Sequence, residues 1–268
     1  MTAVTGYAYG ASREGAAGDS LGMVDVNAST RDALFGGRVL LEQPPRGAGY
    51  RVNVDALLLA AFARARAPVD TAFDLGAGVG AVALSLLHFG AAKRVVLVEI
   101  DGSAAALARK NLAANGWGES AEVIHADVRD AARDRPAEAQ LVVCNPPYVE
   151  PGRGRVSPVA ARARARSGAL AVFVDAARAI AGRRARVCFV YPARELATLC
   201  AALRAVGLEP KRVRAVHASP DAPARVVLVE GQPAKRGGLS VMPPLVERIA
   251  GGYSAEMEML FAHARARS

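Results

Sequence analysis

Phe73-Asp74-Leu75-Gly76-Ala77-Gly78-Val79-Gly80-Ala81 follows the strand-like run Val69 to Phe73 and leads into Val82-Ala83-Leu84-Ser85-Leu86-Leu87, an apolar helical stretch. A chain that passes from strand to helix in so few residues needs backbone angles that only glycine reaches cheaply. The missing side chains also let a ligand come close to the main chain. Gly76, Gly78 and Ala81 fit the G-x-G-x-x-G/A spacing of a dinucleotide turn. By itself the turn therefore leaves two adenosine cofactors open, NAD(P) and S-adenosylmethionine (SAM).

Working outward from this turn, strands and helices alternate after Pro68. Strands are expected near 70–75, 94–99, 121–125, 139–144, 185–191, 211–217 and 224–230, and helices near 79–89, 102–115, 168–181 and 193–205. That alternation predicts an α/β fold: a doubly wound, mostly parallel, Rossmann-like sheet of seven strands. The second helix closes on Asn115-Gly116, and Gly207 follows the fourth. Only Ala218 to Pro223 separates the last two strands, too few residues for a helical crossover, so the last strand is expected antiparallel.

The ends of the strands carry the candidate chemistry. Glu99 closes the run from Arg94 to Val98 and is placed to accept from both hydroxyls of a ribose. Asp127, just past Glu122 to Ala126, is placed to receive an adenine amino group. Neither acid separates the two cofactors. The separation comes from Asn145-Pro146-Pro147-Tyr148, which ends the apolar run Ala139 to Cys144. An exocyclic amine is a poor nucleophile because its lone pair is delocalised into the ring. The amide oxygen of Asn145 and the carbonyl of Pro146 can accept its two N–H bonds, two fixed proline φ angles hold the loop stiff, and Tyr148 offers a ring for an extruded base. A hydride-transfer enzyme has no use for such a pair of acceptors, whereas a SAM-dependent N-methyltransferase does.

Composition bounds the partners. The 268 residues carry 34 Lys and Arg against 25 Asp and Glu, a net +9 with a pI near 10.0, the balance of a nucleic-acid-binding chain. Arginine-rich coding bias would raise the same number, so position decides more. Between Glu150 and Asp175 there is no acid, while Arg153, Arg155, Arg162, Arg164 and Arg166 follow the Asn-Pro-Pro-Tyr loop directly, and these are the expected contacts to the phosphates flanking an extruded base. Hydrophobic residues make up 52% and mean hydropathy is +0.17, yet no apolar run is long enough to span a bilayer. No secretory signal precedes Met23, so a cytoplasmic location is expected. Three cysteines without Cys-x-x-Cys spacing and four scattered histidines argue against a disulfide framework or a metal site.

Tyr50-Arg51-Val52-Asn53-Val54-Asp55 precedes an amphipathic helix from Ala56 to Ala65. Asp55 has two readings of equal weight: a helix N-cap, or, with Arg51, a holder of the cofactor's methionine end. Trp117 is read as packing or rim. The expected organisation is a disordered leader (1–27), an N-terminal lead-in (28–67), a catalytic domain (68–231) and a short C-terminal extension (232–268).

Taken together, these residues resemble the bacterial tRNA(Val) adenine-N6 methyltransferases, a branch of the class I SAM-dependent methyltransferases. The likeness runs from Asp32-Ala33-Leu34-Phe35-Gly36-Gly37, Gln43-Pro44, Gly49-Tyr50-Arg51 and Asp55 to Ala61, through the two motifs, to Pro243-Pro244-Leu245 and Tyr253-Ser254-x-Glu256. Val79 departs from it, standing where that family often has Thr or another small polar residue. The resemblance implies SAM contacts at Asp74, Gly76, Gly78, Gly80, Glu99 and Asp127, with their chain neighbours Ala77, Ile100 and Val128. It implies the methylation site at Asn145 to Tyr148, and a tRNA substrate. Asn-Pro-Pro-Tyr also suits a DNA amine or the glutamine amide of a release factor, and these stay as the alternative substrates.

Overall fold

The computed structural model describes residues 29–45, 53–147, 169–233 and 236–262. In chain order the elements are β1 (Thr30–Leu34), β2 (Val39–Gln43), α1 (Val54–Ala63), β3 (Val69–Leu75), α2 (Ala81–His88), β4 (Ala92–Glu99), α3 (Gly102–Ala114), β5 (Ala121–His125) and α4 (Val128–Asp134). They continue as β6 (Ala139–Cys144), α5 (Ala169–Ile180), β7 (Ala181–Pro192), a 3-10 turn (Ala193–Glu195), α6 (Leu196–Ala205), β8 (Glu209–His217) and β9 (Ala224–Gln232). The short strands β10 (Ser240–Val241), β11 (Leu245–Val246), β12 (Arg248–Ile249) and β13 (Gly252–Tyr253) and helix α7 (Ala255–Ala262) complete them.

The seven strands expected from sequence are β3 to β9, arranged β8-β9-β7-β6-β3-β4-β5. β9 is antiparallel to both neighbours and the others run parallel, so the doubly wound α/β sheet with a reversed last strand is confirmed. The sheet is wider than seven. β10 and β11 both pair with the outer edge of β8, giving nine strands. Two-residue strands have no period of their own to read; they form because the tail docks on an edge that is already there.

Side chains alternate between the faces with period two. Ala72, Val95, Leu97, Leu141 and Val143 join α1, α2 and α3 in one core, while Phe73, Leu75, Val96, Val98, Val142 and Cys144 join α4, α5 and α6 in the other. Trp117 is buried in the first core, in line with the packing reading. Burial on both faces explains why these strands are unbroken apolar runs rather than alternating ones.

Two polar ties fix the chain outside the sheet. Asn111 is 1% exposed: its Oδ1 accepts from Glu42 N (2.6 Å), and its Nδ2 donates to Glu42 O and Val79 O (both 3.0 Å). The N-terminal hairpin is thereby pinned to the glycine turn. At the start of α1 the cap is Asn53, whose Oδ1 accepts from Asp55 N at 3.1 Å. The capping role expected of Asp55 is thus corrected by two positions. Asp55 is fully buried and accepts from Arg225 Nη2 at 2.6 Å, and the same nitrogen donates to Glu247 at 2.6 Å, between β11 and β12. One guanidinium therefore joins α1, the start of β9 and the C-terminal segment. Arg225→Met would remove this guanidinium from the buried Asp55 carboxylate; urea unfolding should register a loss of ~3–5 kcal/mol, the usual cost of breaking one side of a buried ion pair.

Candidate functional site

Leu75 of β3 and Cys144 of β6 are register partners on adjacent parallel strands. Gly76 and Asn145 are the next residues of their strands, and neighbouring strands lie ~4.8 Å apart. The glycine turn and the Asn-Pro-Pro loop therefore leave the sheet side by side. This is also where strand order reverses, since the chain winds outward from β3 through β4 to β5 and then resumes at β6 on the other side. Ligands of open α/β sheets sit in that crevice, beyond the carboxyl ends of the strands.

Gly76, Gly78 and Gly80 have φ of +71°, +56° and +88°, a region L side chains avoid. Gly76 N and Ala77 N both donate to Val98 O (2.9 and 3.1 Å), which ties the turn to β4. A Cβ on Gly80 would stand 3.2 Å from Leu97, and one on Gly76 would stand 3.0 Å from the Phe173 ring. At Gly78 nothing lies within 4 Å, so the middle glycine is where main chain faces open space.

Two acids brace this turn from within. Glu99, 8% exposed, accepts from Gly78 N (2.7 Å) and Asp101 N (2.8 Å), yet burial still holds its carboxyl above the ordinary glutamate range. Each oxygen keeps a further lone pair for a hydroxyl donor. Asp74, 1% exposed, accepts from Ala83 N at 3.1 Å. Because the N-cap of α2 is Gly80 and has no side chain to offer, Asp74 satisfies that first turn from below. Burial, with a smaller contribution from the Glu99 charge, pushes Asp74 up to about 7.

At the far side of the crevice Asp127 caps α4, accepting from Arg129 N at 2.9 Å, and its two oxygens also take the Arg129 guanidinium at 3.0 and 2.7 Å. The guanidinium, aided by the backbone donor, holds Asp127 below the usual carboxylate range. Ile100 exposes 42% of its apolar side chain beside Glu99, and Val128 is buried at the start of α4. On the near side Pro146 is buried and Pro147 half-buried, and Asn145 Oδ1 is a buried acceptor with no hydrogen-bond partner among the described residues. Buried polar atoms are almost always paired, so an orphan marks a strained or functional position.

Of the residues singled out in the sequence, Asp74, Gly76, Ala77, Gly78, Gly80, Glu99, Ile100, Asp127, Val128, Asn145, Pro146 and Pro147 come to the carboxyl ends of β3, β4, β5 and β6. Asp55 stands on the same side of the sheet, closed off by its ion pair. Arg51, Tyr148, Arg153, Arg155, Arg162, Arg164 and Arg166 lie outside the described residues. Sequence reading missed Asn111, although a polar residue three positions after Ala108 on the buried stripe of α3 was a visible signal. It also missed Phe173 and Arg225, whose partners are distant in sequence. Among the described residues no group of His, Cys, Asp or Glu is clustered to hold a metal, and no helix is long and apolar enough to cross a membrane.

This arrangement, a glycine turn braced by strand-end acids beside a proline-stiffened amide, defines a class I methyltransferase fold. The methyltransferase small-domain description matches residues 53–170, and the chain is similar to proteins named tRNA1(Val) (adenine(37)-N6)-methyltransferase. The protein of that name from Shewanella amazonensis is 37% identical over 118 residues, 44% of this chain and 50% of that protein. Its counterpart from Erwinia tasmaniensis is 32% identical over 145 residues, 53% and 59% of the two chains. The chain thus spans about half the length of the curated relatives it matches. A crystal structure described as a predicted O-methyltransferase from Agrobacterium tumefaciens superposes with a TM-score of 0.61 at 24% identity, covering 80% of this chain and 99% of that one. TYW2 of Pyrococcus horikoshii, solved in complex with MeSAdo, gives 0.54 at 16% identity over 77% and 72%. These two likenesses concern the fold.

The burial of Asp74 has a pH signature. Its folded pKa of about 7 lies above the ~3.9 of an unfolded aspartate, so the native state holds an extra proton between those values. Stability is highest below the unfolded value and declines as pH rises through the folded one. Urea unfolding at pH 5 and pH 7.5 should show a decline of ~2–3 kcal/mol, with Glu99 acting in the same direction. In Asp74→Asn most of that slope should vanish.

Proposed function

We propose that the chain transfers a methyl group from SAM to the N6 amine of an adenine in RNA, with tRNA as the substrate class. The observation that carries this reading is the buried, unpartnered Asn145 Oδ1 at the strand end beside the glycine turn. An acceptor held dry and unpaired is matched to a donor that arrives with the substrate, and the exocyclic amine of adenine is such a donor. The names of the sequence relatives support the same acceptor atom and RNA class.

The residues present fit the cofactor. Gly78 leaves main chain open where a ligand can approach, Glu99 has lone pairs for ribose hydroxyls, and Asp127 beside Ile100 and Val128 offers an acceptor next to apolar side chains for adenine. When bound, SAM supplies a methyl carbon on a sulfonium, which departs as a neutral thioether.

The rest falls to the chain's own groups. Asn145 Oδ1 and the Pro146 carbonyl accept the two N6 hydrogens, which localises the nitrogen lone pair and stabilises the positive charge as the N–C bond forms. One N6 proton then passes to solvent, leaving the secondary amine. Tyr148 stacks on the extruded base, and Arg153, Arg155, Arg162, Arg164 and Arg166 take the flanking phosphates. Positioning and charge stabilisation suffice, because the methyl donor is already activated.

Two variants test this. Asn145→Ala should cut turnover by roughly two to three decades, while affinity for S-adenosylhomocysteine, measured by calorimetry, stays within about twofold. It should not destabilise the fold, since the deleted oxygen has no partner to lose. Wild-type turnover in that variant would remove the assignment. Glu99→Ala should instead weaken S-adenosylhomocysteine binding by roughly tenfold or more, the worth of a charged hydrogen bond. Tritium transfer from labelled SAM to total tRNA, rRNA, DNA and release factor in parallel identifies the acceptor; label on protein or DNA alone would overturn the RNA assignment.

A further inference from the structure

Phe173 lies on α5, the helix packed over the Phe73, Leu75 and Val98 face of the sheet. On this helix Val174, Ala177 and Ile180 are 1% exposed or less and Leu170 is 9% exposed, whereas Phe173 is only half-buried and packs against their cluster from its border. The edge of its ring meets the glycine turn: a Cβ on Gly76 would be 3.0 Å from Cε1 and 3.2 Å from Cζ. Gly76 thus has two reasons to be glycine, its φ of +71° and the ring that occupies the place of a side chain. Leu75 is level with Cys144, so the ring flanks the strand end from which Asn145 emerges.

We infer that Phe173 is a specificity-determining residue, an aromatic wall against which the flat acceptor base is held while its amine meets Asn145. This rests on the adenine reading above. In-line transfer requires the base plane as well as the nitrogen to be fixed, and two acceptors on the amine with a ring, Tyr148, on one face of the base leave its other side unsupported. A ring at the side of the cleft supplies that support. Phe173 suits the task because its two dihedrals are confined between the buried turns of α5 and the Gly76 main chain, so little order remains to be lost on binding. Stacking on a ring is tolerant of which base is presented. In this division of labour Phe173 selects planarity and Asn145 selects the amine.

The test compares Phe173→Leu and Phe173→Tyr in the full chain, with the RNA that wild-type protein methylates. Phe173→Leu keeps apolar bulk and should lose roughly tenfold to a hundredfold in kcat/KM for RNA, with S-adenosylhomocysteine affinity within about twofold of wild type. Phe173→Tyr should recover to within about threefold. A second measurement is independent of turnover: with 2-aminopurine at the target position and Asn145→Ala to block transfer, RNA binding should quench the fluorophore, and adding Phe173→Leu should relieve the quench. Unchanged kcat/KM and quenching would overturn the inference, leaving the ring as core packing. A parallel fall in S-adenosylhomocysteine affinity would also overturn it, assigning the ring to the cofactor. A wild-type protein that methylates no RNA would overturn both readings, whereas an active wild type with an indifferent Phe173→Leu overturns this one alone.

Discussion

The register between Leu75 and Cys144 is the constraint on which the rest of the molecule depends. A slip of one residue would turn Phe73, Leu75, Val142 and Cys144 from one core into the other and displace Asn145 from the level of Gly76. Two cores of different shape, one on each face, oppose that slip from both sides. The chemistry at the strand ends is therefore set by apolar packing well inside the sheet. The site needs no dedicated scaffold because the core already fixes the height at which each motif leaves it.

Around the turn itself the support is polar and mostly backbone. Val98 O receives two N–H groups, Glu99 receives a third from Gly78, and Asn111 takes the carbonyl of Val79 while gripping β2. Asp74 supplies the cap that a glycine N-cap cannot. Glycine turns are otherwise free to sample many conformations, and these bonds remove that freedom before any ligand arrives. Preorganisation of this kind is what lets binding energy go to the ligand rather than to ordering the loop.

What could be read from the sequence follows from how local each signal is. The turn at Gly76 to Gly80, the strand ends at Glu99 and Asp127, and the Asn-Pro-Pro loop are short-range patterns with mechanical reasons, and the strand count from β3 to β9 follows from apolar runs alone. β10 and β11 were not legible because their partner is the distant β8, and the β1–β2 hairpin, though its strands pair with each other, is held in place by the side chains of Asn111 and Asn115 on or just after α3. Asp55 was legible as a helix-start residue and misplaced as the cap. Asparagine and aspartate two positions apart satisfy the same rule, and only the distant Arg225 explains why the acid is the buried one. Phe173 resembled any other apolar residue of an amphipathic helix, and its meaning lies in a glycine 97 positions earlier in the numbering.

Buried carboxylates are neutralised differently on the two sides of this fold. On the flank formed by α1, β8, β9 and the C-terminal segment, the buried carboxylates are paired with cations: Asp55 with Arg225 and Glu230 with Arg186 and Arg212, although Arg212 Nε itself is buried without a hydrogen-bond partner among the described residues. At the carboxyl ends of β3, β4 and β6, the buried Asp74 and Glu99 are held by backbone donors, and among the described residues Asn145 Oδ1 is held by none. An unpaired acceptor such as Asn145 Oδ1 costs on the order of 1–3 kcal/mol, a large share of the ~5–15 kcal/mol by which domains are stable at all. The paired flank is what makes that cost tolerable. It also explains why the C-terminal segment belongs to the working protein: by fixing Arg225 it stabilises a sheet whose carboxyl edge is kept electrostatically unfinished, ready for partners that complete it.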